Sequence, residues 1–430
     1  MSKHSSEHVG AGGPSPALVM LLAVATGLFA ANIYYAQPLI ASIAPEIGLD
    51  AHLAGAVVSV TQIGFGVGLF LLVSLADLIE NRRLVLVMLG VTTAGLIGAA
   101  LSRSAAPFFI ASFVVGVCTT GAQVLVPYVA HMAPDAKRGR IVGAVMSGLL
   151  TGVMLARPVA LFIAASFGWR AVFWISAVMM VAIGVALARM MPRYRPRGGM
   201  HYGLILASMA GLLRDMPALR RRAIYQALLF GAFNMFWTAV PLMLADRFGL
   251  DQRSIGLFAL AGAGGALAAP FAGRMADRGH IRAMTAGAMI VTGAAFYATG
   301  WAAAALALVP LVVLAVLIDG AVQANHIVSQ KVIFEVPAET RGRVNALYMT
   351  ALFLGGAWGS MLSPITYHAG GWAATALAGA LVGVLALVLF ALELWSSRRR
   401  HHGRAAQDDG FEASNSATSI EKLPSGSVSK

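Results

Sequence analysis

A pattern running from Pro134 to Trp169 returns 203 residues later, and this repeat constrains the fold more than any other feature of the chain. Its first copy opens on the basic turn Pro134-Asp135-Ala136-Lys137-Arg138-Gly139-Arg140. An apolar segment follows, with small residues every fourth position (Gly148, Gly152, Ala156), and the copy closes on Gly168-Trp169. In the second copy Pro337 to Arg343 form the turn, Ala351, Gly355 and Gly359 take the small positions, and Gly371-Trp372 end it. Gly139 maps to Gly342, Arg140 to Arg343, Gly152 to Gly355 and Trp169 to Trp372 at one constant offset. A repeat at this distance means two copies of one large structural unit.

The medium of that unit is lipid. Of 430 residues, 58% are hydrophobic and 11% charged, with mean hydropathy +0.77. A soluble domain carries about a quarter charged residues. Apolar stretches of bilayer length recur along nearly the whole chain, so the expected class is an all-α polytopic membrane protein. The net charge of +13 does not point to nucleic acid, because the basic residues are spaced between apolar segments. Cys118 is the single cysteine, so no internal disulfide is available. Mostly polar or small residues precede the first apolar run, with no cleavable signal pattern.

Twelve segments are expected, near 17–40, 52–75, 84–102, 106–130, 141–166 and 169–190, then 223–244, 254–275, 283–301, 305–333, 343–367 and 373–395. They divide the chain into an N-terminal tail (1–16), a six-helix half (17–191), a linker (192–222), a second six-helix half (223–395) and a tail (396–430). The even-numbered loops hold 19 Lys and Arg, the odd-numbered ones 4. The positive-inside rule places both termini in the cytoplasm. Leu204–Leu213 of the linker is compatible with a short helix on the membrane surface. The Ser-, Gly- and Asp-rich tail is expected to be disordered.

Two further turns match across the copies. Leu75-Ala76-Asp77-Leu78-Ile79-Glu80-Asn81-Arg82-Arg83 follows the second segment, and Gly273-Arg274-Met275-Ala276-Asp277-Arg278-Gly279 follows the eighth. An Asp in such a junction either caps the next helix and pairs with neighbouring charges or belongs to a tight charged turn. Together with twelve spans in two copies, these turns make the chain resemble the major facilitator superfamily over residues 17–395. The turn is similar to that family's G-x-L-A-D-R-x-G-R-R signature, which the second copy follows more closely. The first departs from it at Val73, Leu78, Glu80 and Asn81. The resemblance implies a cytoplasmic gate in which Asp77, Arg82, Arg83, Asp277 and Arg278 take part, with Arg140 and Arg343 in the repeated basic turns. Within the family the chain looks most like the twelve-span bacterial drug- and metabolite-efflux branch. Asn32 to Leu39 in segment 1 contributes to that likeness, echoed by Asn234-Met235-Phe236-Trp237 in segment 7. Segment 5 occupies the place of the antiporter pattern G-x-x-x-G-P-x-x-G-G. It keeps Gly148 and Gly152 but has Val153 for Pro and Ala156-Arg157 for Gly-Gly.

Arg157 is the one Lys or Arg well inside a span, and Asp319 the one such Asp or Glu. Charges at that depth are costly and mark functional sites by default, although a structural ion pair is the alternative. Both lie about 20–25 Å from the basic end of their segments at 1.5 Å per residue, and they belong to different halves. Asp319, Gln323, His326 and Gln330 share one helical face. Thr120 and Gln123 of segment 4 correspond to Gln323 and His326. Asn32, Tyr35, Asn234 and Trp237 complete the expected pathway, with packing or interface anchoring as the alternative for the aromatics.

Neither a metal cluster nor a nucleophile elbow, Walker loop or nucleotide-binding strand–turn–helix is legible, so neither an enzyme nor a cofactor is expected. The expectation is an alternating-access secondary transporter of the bacterial cytoplasmic membrane, monomeric and coupled to protons, exporting a small amphiphilic compound. Import by symport or uniport stays open, as does a non-transporting receptor or assembly subunit.

Overall fold

The computed structural model describes residues 13–76, 78–195 and 201–420; the side chains of 266–267, 338–339 and 397–420 are outside that description. Asp77, one of the expected gate residues, therefore lies outside the described residues. Every regular element among the described residues is a helix.

The first span is discontinuous. Helix α1 (Pro16–Ala31) starts where Ser15 Oγ accepts the Leu18 N–H at 3.2 Å and Pro16 needs no donor partner. It stops at Ala31, and the chain passes through turns and a 3₁₀ segment at Gln37–Leu39 before α2 (Ile40–Glu46) resumes. Pro38 supplies no backbone N–H, which favours this break. The next spans are α3 (Ala56–Leu75), α4 (Asn81–Leu101), the pair α5 (Ala105–Thr119) and α6 (Gly121–Met132), α7 (Asp135–Phe167) and α8 (Trp169–Met190). The linker carries α9 (Tyr202–Asp215), a helix over the stretch 204–213 where the sequence allows one.

The second half opens with α10 (Pro217–Phe248). It starts six residues before the expected span, so Arg220, Arg221 and Arg222 are its first turns rather than linker. The eighth span is broken like the first: α11 (Gln252–Ala259), a glycine-rich 3₁₀ stretch at Leu260–Leu267, then α12 (Ala268–Asp277). Then come α13 (Ile281–Ala304), α14 (Leu308–Ile333) and α15 (Ala338–Ile420). Non-helical Gly370 and Gly371 divide α15 into spans eleven and twelve. The protein is thus an all-α membrane protein of twelve transmembrane helices in two pseudo-symmetric halves. By compactness, residues 1–384 form one unit and 385–430 another. The second is helical to Ile420, whereas composition alone leads to a disordered tail from residue 396. No proline interrupts that stretch.

The repeat is visible in the backbone. Gly168 and Gly371, 203 residues apart, both have positive φ (77° and 64°), which lets each chain turn sharply into the next span. The tryptophan that follows is buried in both halves. Trp169 meets Phe108 and Phe173 edge-on at 6.0 and 5.8 Å, and Trp372 meets Phe236 at 5.7 Å. The small residues bring helix backbones together. A Cβ on Gly148 or Gly152 would strike the backbone of Ala23 or Gly27 in α1, and one on Gly355 or Gly359 that of Ala227 or Gly231 in α10. Without a hydrophobic driving force between helices in lipid, such close backbone approach is what holds them. These contacts repeat at offsets of 204 on one helix and 207 on the other, so α15 is slid by about one turn relative to α7.

Candidate functional site

The broken first span and α10 bring the halves together through amide side chains. Gln37, on the 3₁₀ piece, donates Nε2 to Asn234 Oδ1 and to Thr238 Oγ1, each at 3.1 Å. Gln62 of α3 donates to the same Asn234 oxygen at 2.6 Å. Asn234 turns its own Nδ2 to the Phe230 carbonyl one turn back, at 2.9 Å. Thr238 continues the chain of bonds to Ser360 Oγ at 3.3 Å. Gln37, Gln62, Asn234, Thr238 and Ser360 are all buried. Unwound backbone is tolerated at bilayer depth where protein surrounds it, and broken helices in transporters mark binding sites.

Arg157 joins this network from α7. Its Nε donates to Gln37 Oε1 at 2.8 Å, and its residue exposure is 5%. The guanidinium carbon stands 4.8, 5.2 and 5.0 Å from the ring centres of Tyr34, Phe233 and Trp237. Three aromatic faces, one from the first half and two from the second, thus form a cage around a single cation. Among the described residues, Arg157 Nη2 has no hydrogen-bond partner.

Asp319 lies behind the cage. Trp237 Nε1 donates to its Oδ1 at 2.8 Å, and the residue is 6% exposed. The glycines of the broken eighth span make room for it: a Cβ on Gly262 would meet Asp319 Oδ2 and the Trp237 ring, and one on Gly265 would meet Asp319 Cβ. Arg157 and Asp319 make no ion pair within 4.0 Å. They are joined through Trp237, whose π face serves the cation and whose N–H serves the carboxylate. An indole thus stands between the two charges that the sequence places at similar depth in different halves.

The other expected pathway residues take varied places. His326 Nδ1 and Tyr348 Oη are 3.1 Å apart and their rings stack at 5.5 Å, within the second half. Gln323 and Gln123 are half-buried. Asn32 is used inside the first half: it donates to the Leu28 carbonyl and accepts from Ser176 Oγ at 2.6 Å. Tyr35 is buried beside it and borders an apolar groove between α1 and α7. Neither reaches the Arg157 cage. Gln37, Gln62, Tyr34, Phe233, Thr238 and Ser360 were not named as site residues from sequence, although Tyr34 and Gln37 lie in the Asn32–Leu39 stretch and Pro38 within a span signals a helix break.

At the basic end, Asp277 pairs with Lys331 of its own half at 2.7 Å and does not cap α13, whose N-cap residue is His280. Arg82 bonds the Ala188 carbonyl of α8. Arg343 donates to Ser208 of α9 at 2.7 Å, while Tyr202 Oη of α9 donates to Leu71 of α3 at 3.1 Å. Arg83, Arg140 and Arg278 are exposed.

Two pseudo-symmetric membrane halves meeting at a buried polar and aromatic site define a membrane transporter. The chain belongs to the major facilitator superfamily, whose family model matches residues 22–324 and 222–425. It is 38% identical over 377 residues to the uncharacterized transporter YgaY of Escherichia coli O157:H7, covering 87% of this chain and 95% of that one. It is 27% identical over 289 residues to a chloramphenicol resistance protein of Streptomyces lividans, covering 65% of this chain and 71% of that one. The crystal structure of a D-xylose-proton symporter superposes with TM-score 0.66 at 18% identity, covering 87% and 96% of the two chains; this likeness concerns the fold.

Proposed function

We propose that this transporter exports small amphiphilic compounds across a bacterial cytoplasmic membrane by alternating access, in exchange for protons. The observation that carries the reading is the shared indole: Trp237 touches both Arg157 and Asp319, at the meeting of the halves. An aromatic cage with an unpartnered guanidinium N–H suits a compound offering both an apolar body and an acceptor oxygen. Proton arrival at Asp319 changes what the Trp237 N–H faces. That perturbs the ring on which Arg157 rests and frees Arg157 for substrate or for separation of the halves. The relative named for chloramphenicol resistance supports export of such compounds. The charged turns at Asp77 and Asp277 act in this reading as the cytoplasmic gate, with both termini on the cytoplasmic side. No catalytic step is involved. Import by symport is the second reading, favoured by Ala156-Arg157 standing where the antiporter pattern has Gly-Gly.

The test is flux in proteoliposomes against a panel of drugs and metabolites, with and without a pH gradient. Export stimulated by an opposing proton gradient, and uncoupled from it in Asp319→Asn, is the expected result. Accumulation driven by an inward proton gradient selects symport. Unchanged coupling in Asp319→Asn removes the mechanism.

A further inference from the structure

A second site lies on the flank of the first half, away from the Arg157 cage. At the start of α4, Arg83 and Arg195 line an open cleft of about 570 Å³ together with Ile79, Glu80, Leu84 and Val87. A neighbouring cleft of about 430 Å³ shares Glu80, Arg83 and Val87 and adds Arg82, Arg193 and Leu86. Among the described residues, four arginines line these two clefts beside the carboxylate of Glu80. Glu80 is the N-cap residue of α4, and the first turn that follows it holds no further acidic residue to offset the positive partial charge of the helix N-terminus.

Leu86 leads on into an apolar furrow of about 310 Å³ between α4 and α8. Its floor is made by two glycines. A Cβ on Gly90 would meet nothing within 4 Å, and one on Gly184 only Leu89 Cδ1 at 3.9 Å. The single polar lining residue, Thr93, spends its hydroxyl on the Leu89 carbonyl at 2.8 Å, so the furrow presents carbon. Arg82 sits at the junction, its guanidinium bonded to the Ala188 carbonyl. A basic head cavity continuous with an apolar furrow along two membrane-spanning helices has the polarity of a phospholipid.

We propose that this flank binds an anionic phospholipid, its phosphate among Arg83, Arg193 and Arg195 and one acyl chain in the furrow over Gly90 and Gly184. Charge complementarity selects the anionic class, since a zwitterionic headgroup brings its own cation into a cluster of arginines. The furrow selects a lipid over a soluble phosphate compound, which would leave it unused. Glu80 in the same cleft keeps the site from being a uniform positive surface and orients the headgroup by repulsion.

The test is native mass spectrometry of the delipidated full-length protein, titrated with phosphatidylglycerol and phosphatidylcholine of identical chains. The wild type is expected to retain phosphatidylglycerol about tenfold more tightly, which is about 1.4 kcal/mol. Arg83→Gln with Arg195→Gln should bring that ratio near one. Gly90→Leu and Gly184→Leu, which have space for a side chain, should weaken both lipids while leaving their ratio in place. Full phosphatidylglycerol preference in the arginine variant overturns the proposal. So does competition by glycerol 3-phosphate at concentrations equal to the lipid, which assigns the cleft to a soluble phosphate. Unaltered thermal melting of each variant in detergent separates these outcomes from misfolding.

Discussion

Trp237 donates its indole N–H to the Asp319 carboxylate at 2.8 Å while its ring centre stands 5.0 Å from the Arg157 guanidinium carbon. One side chain therefore contacts both a carboxylate and a cation that do not touch each other. Substitutions that separate the ring from its N–H divide the two roles. Trp237→Phe keeps an aromatic face for Arg157 but removes the donor to Asp319, a charge-assisted bond worth about 1.5–3 kcal/mol. The pH dependence of flux is expected to move while substrate affinity stays within about threefold, roughly 0.7 kcal/mol. A pH profile identical to wild type would show that the N–H does not communicate with the coupling step.

Arg157 is held by geometry as well as by charge. Its Nε reaches Gln37 and its plane lies among three rings, which an ammonium on a flexible stem does not reproduce. Arg157→Lys is expected to lose at least tenfold in substrate affinity, about 1.4 kcal/mol, despite the conserved charge. Equilibrium binding of a transported compound to purified protein measures it, and wild-type affinity would assign the cage a purely structural role.

The division into twelve spans and two copies was legible because lipid forces apolar length on every helix, and because the Gly-Trp and basic-turn repeats sit at a fixed offset. Arg157 and Asp319 were legible for the related reason that a deep charge has few structural uses. The partners around them were not. Gln37 and Gln62 carry no charge to single them out, and only helix rotation shows that both point to Asn234 rather than, like Asn32, into their own half. The break at Leu260–Leu267 was hidden because a glycine-rich apolar run reads equally as close packing, and Asp319 is what shows the use of the space. The one-turn slip between α7 and α15 was also invisible, since loops set the sequence offset and side-chain contacts set the packing register.

Asn234 is the acceptor for two buried amides of the opposite half. Asn234→Leu strands the Gln62 donor and leaves Gln37 only Thr238, at a cost of about 1–3 kcal/mol for each unsatisfied group. The arrangement with the halves joined here should lose population. Spin labels placed one on each half are expected to show a broader distance distribution, and an unchanged one would remove Asn234 as the joining point.

The close helix pairs make a paired prediction about stability. Gly152→Val and Gly359→Val drive a side chain into the Gly27 and Gly231 backbones, whereas Gly143→Ala adds a methyl where nothing lies within 4 Å. The two valine variants should lose about 2 kcal/mol or more, in the range of core overpacking, while the alanine variant stays near wild type. Thermal unfolding in detergent tests this, and wild-type melting of Gly152→Val would mean that α1 and α7 separate freely.

His52, in the 3₁₀ turn before α3, and His368, near the end of span eleven, meet edge to face with ring centres 5.1 Å apart. Ser59 lies deeper along the same two spans and donates to the Ala357 carbonyl at 2.7 Å, and Gly55 packs on the Ser360 backbone, so the halves are closed at that end of the bundle. Alternating access requires this end to open once per cycle. His52→Cys with His368→Cys, bridged by a short bifunctional thiol reagent, should therefore reduce flux to the level of empty liposomes. Cleaving a disulfide-containing linker should restore it. The native Cys118 is buried, and a Cys118→Ser background removes its contribution. Either single-cysteine variant treated with the same reagent should keep its flux, which distinguishes bridging from modification. Transport at the unmodified rate by fully cross-linked protein would mean that this end does not open during the cycle.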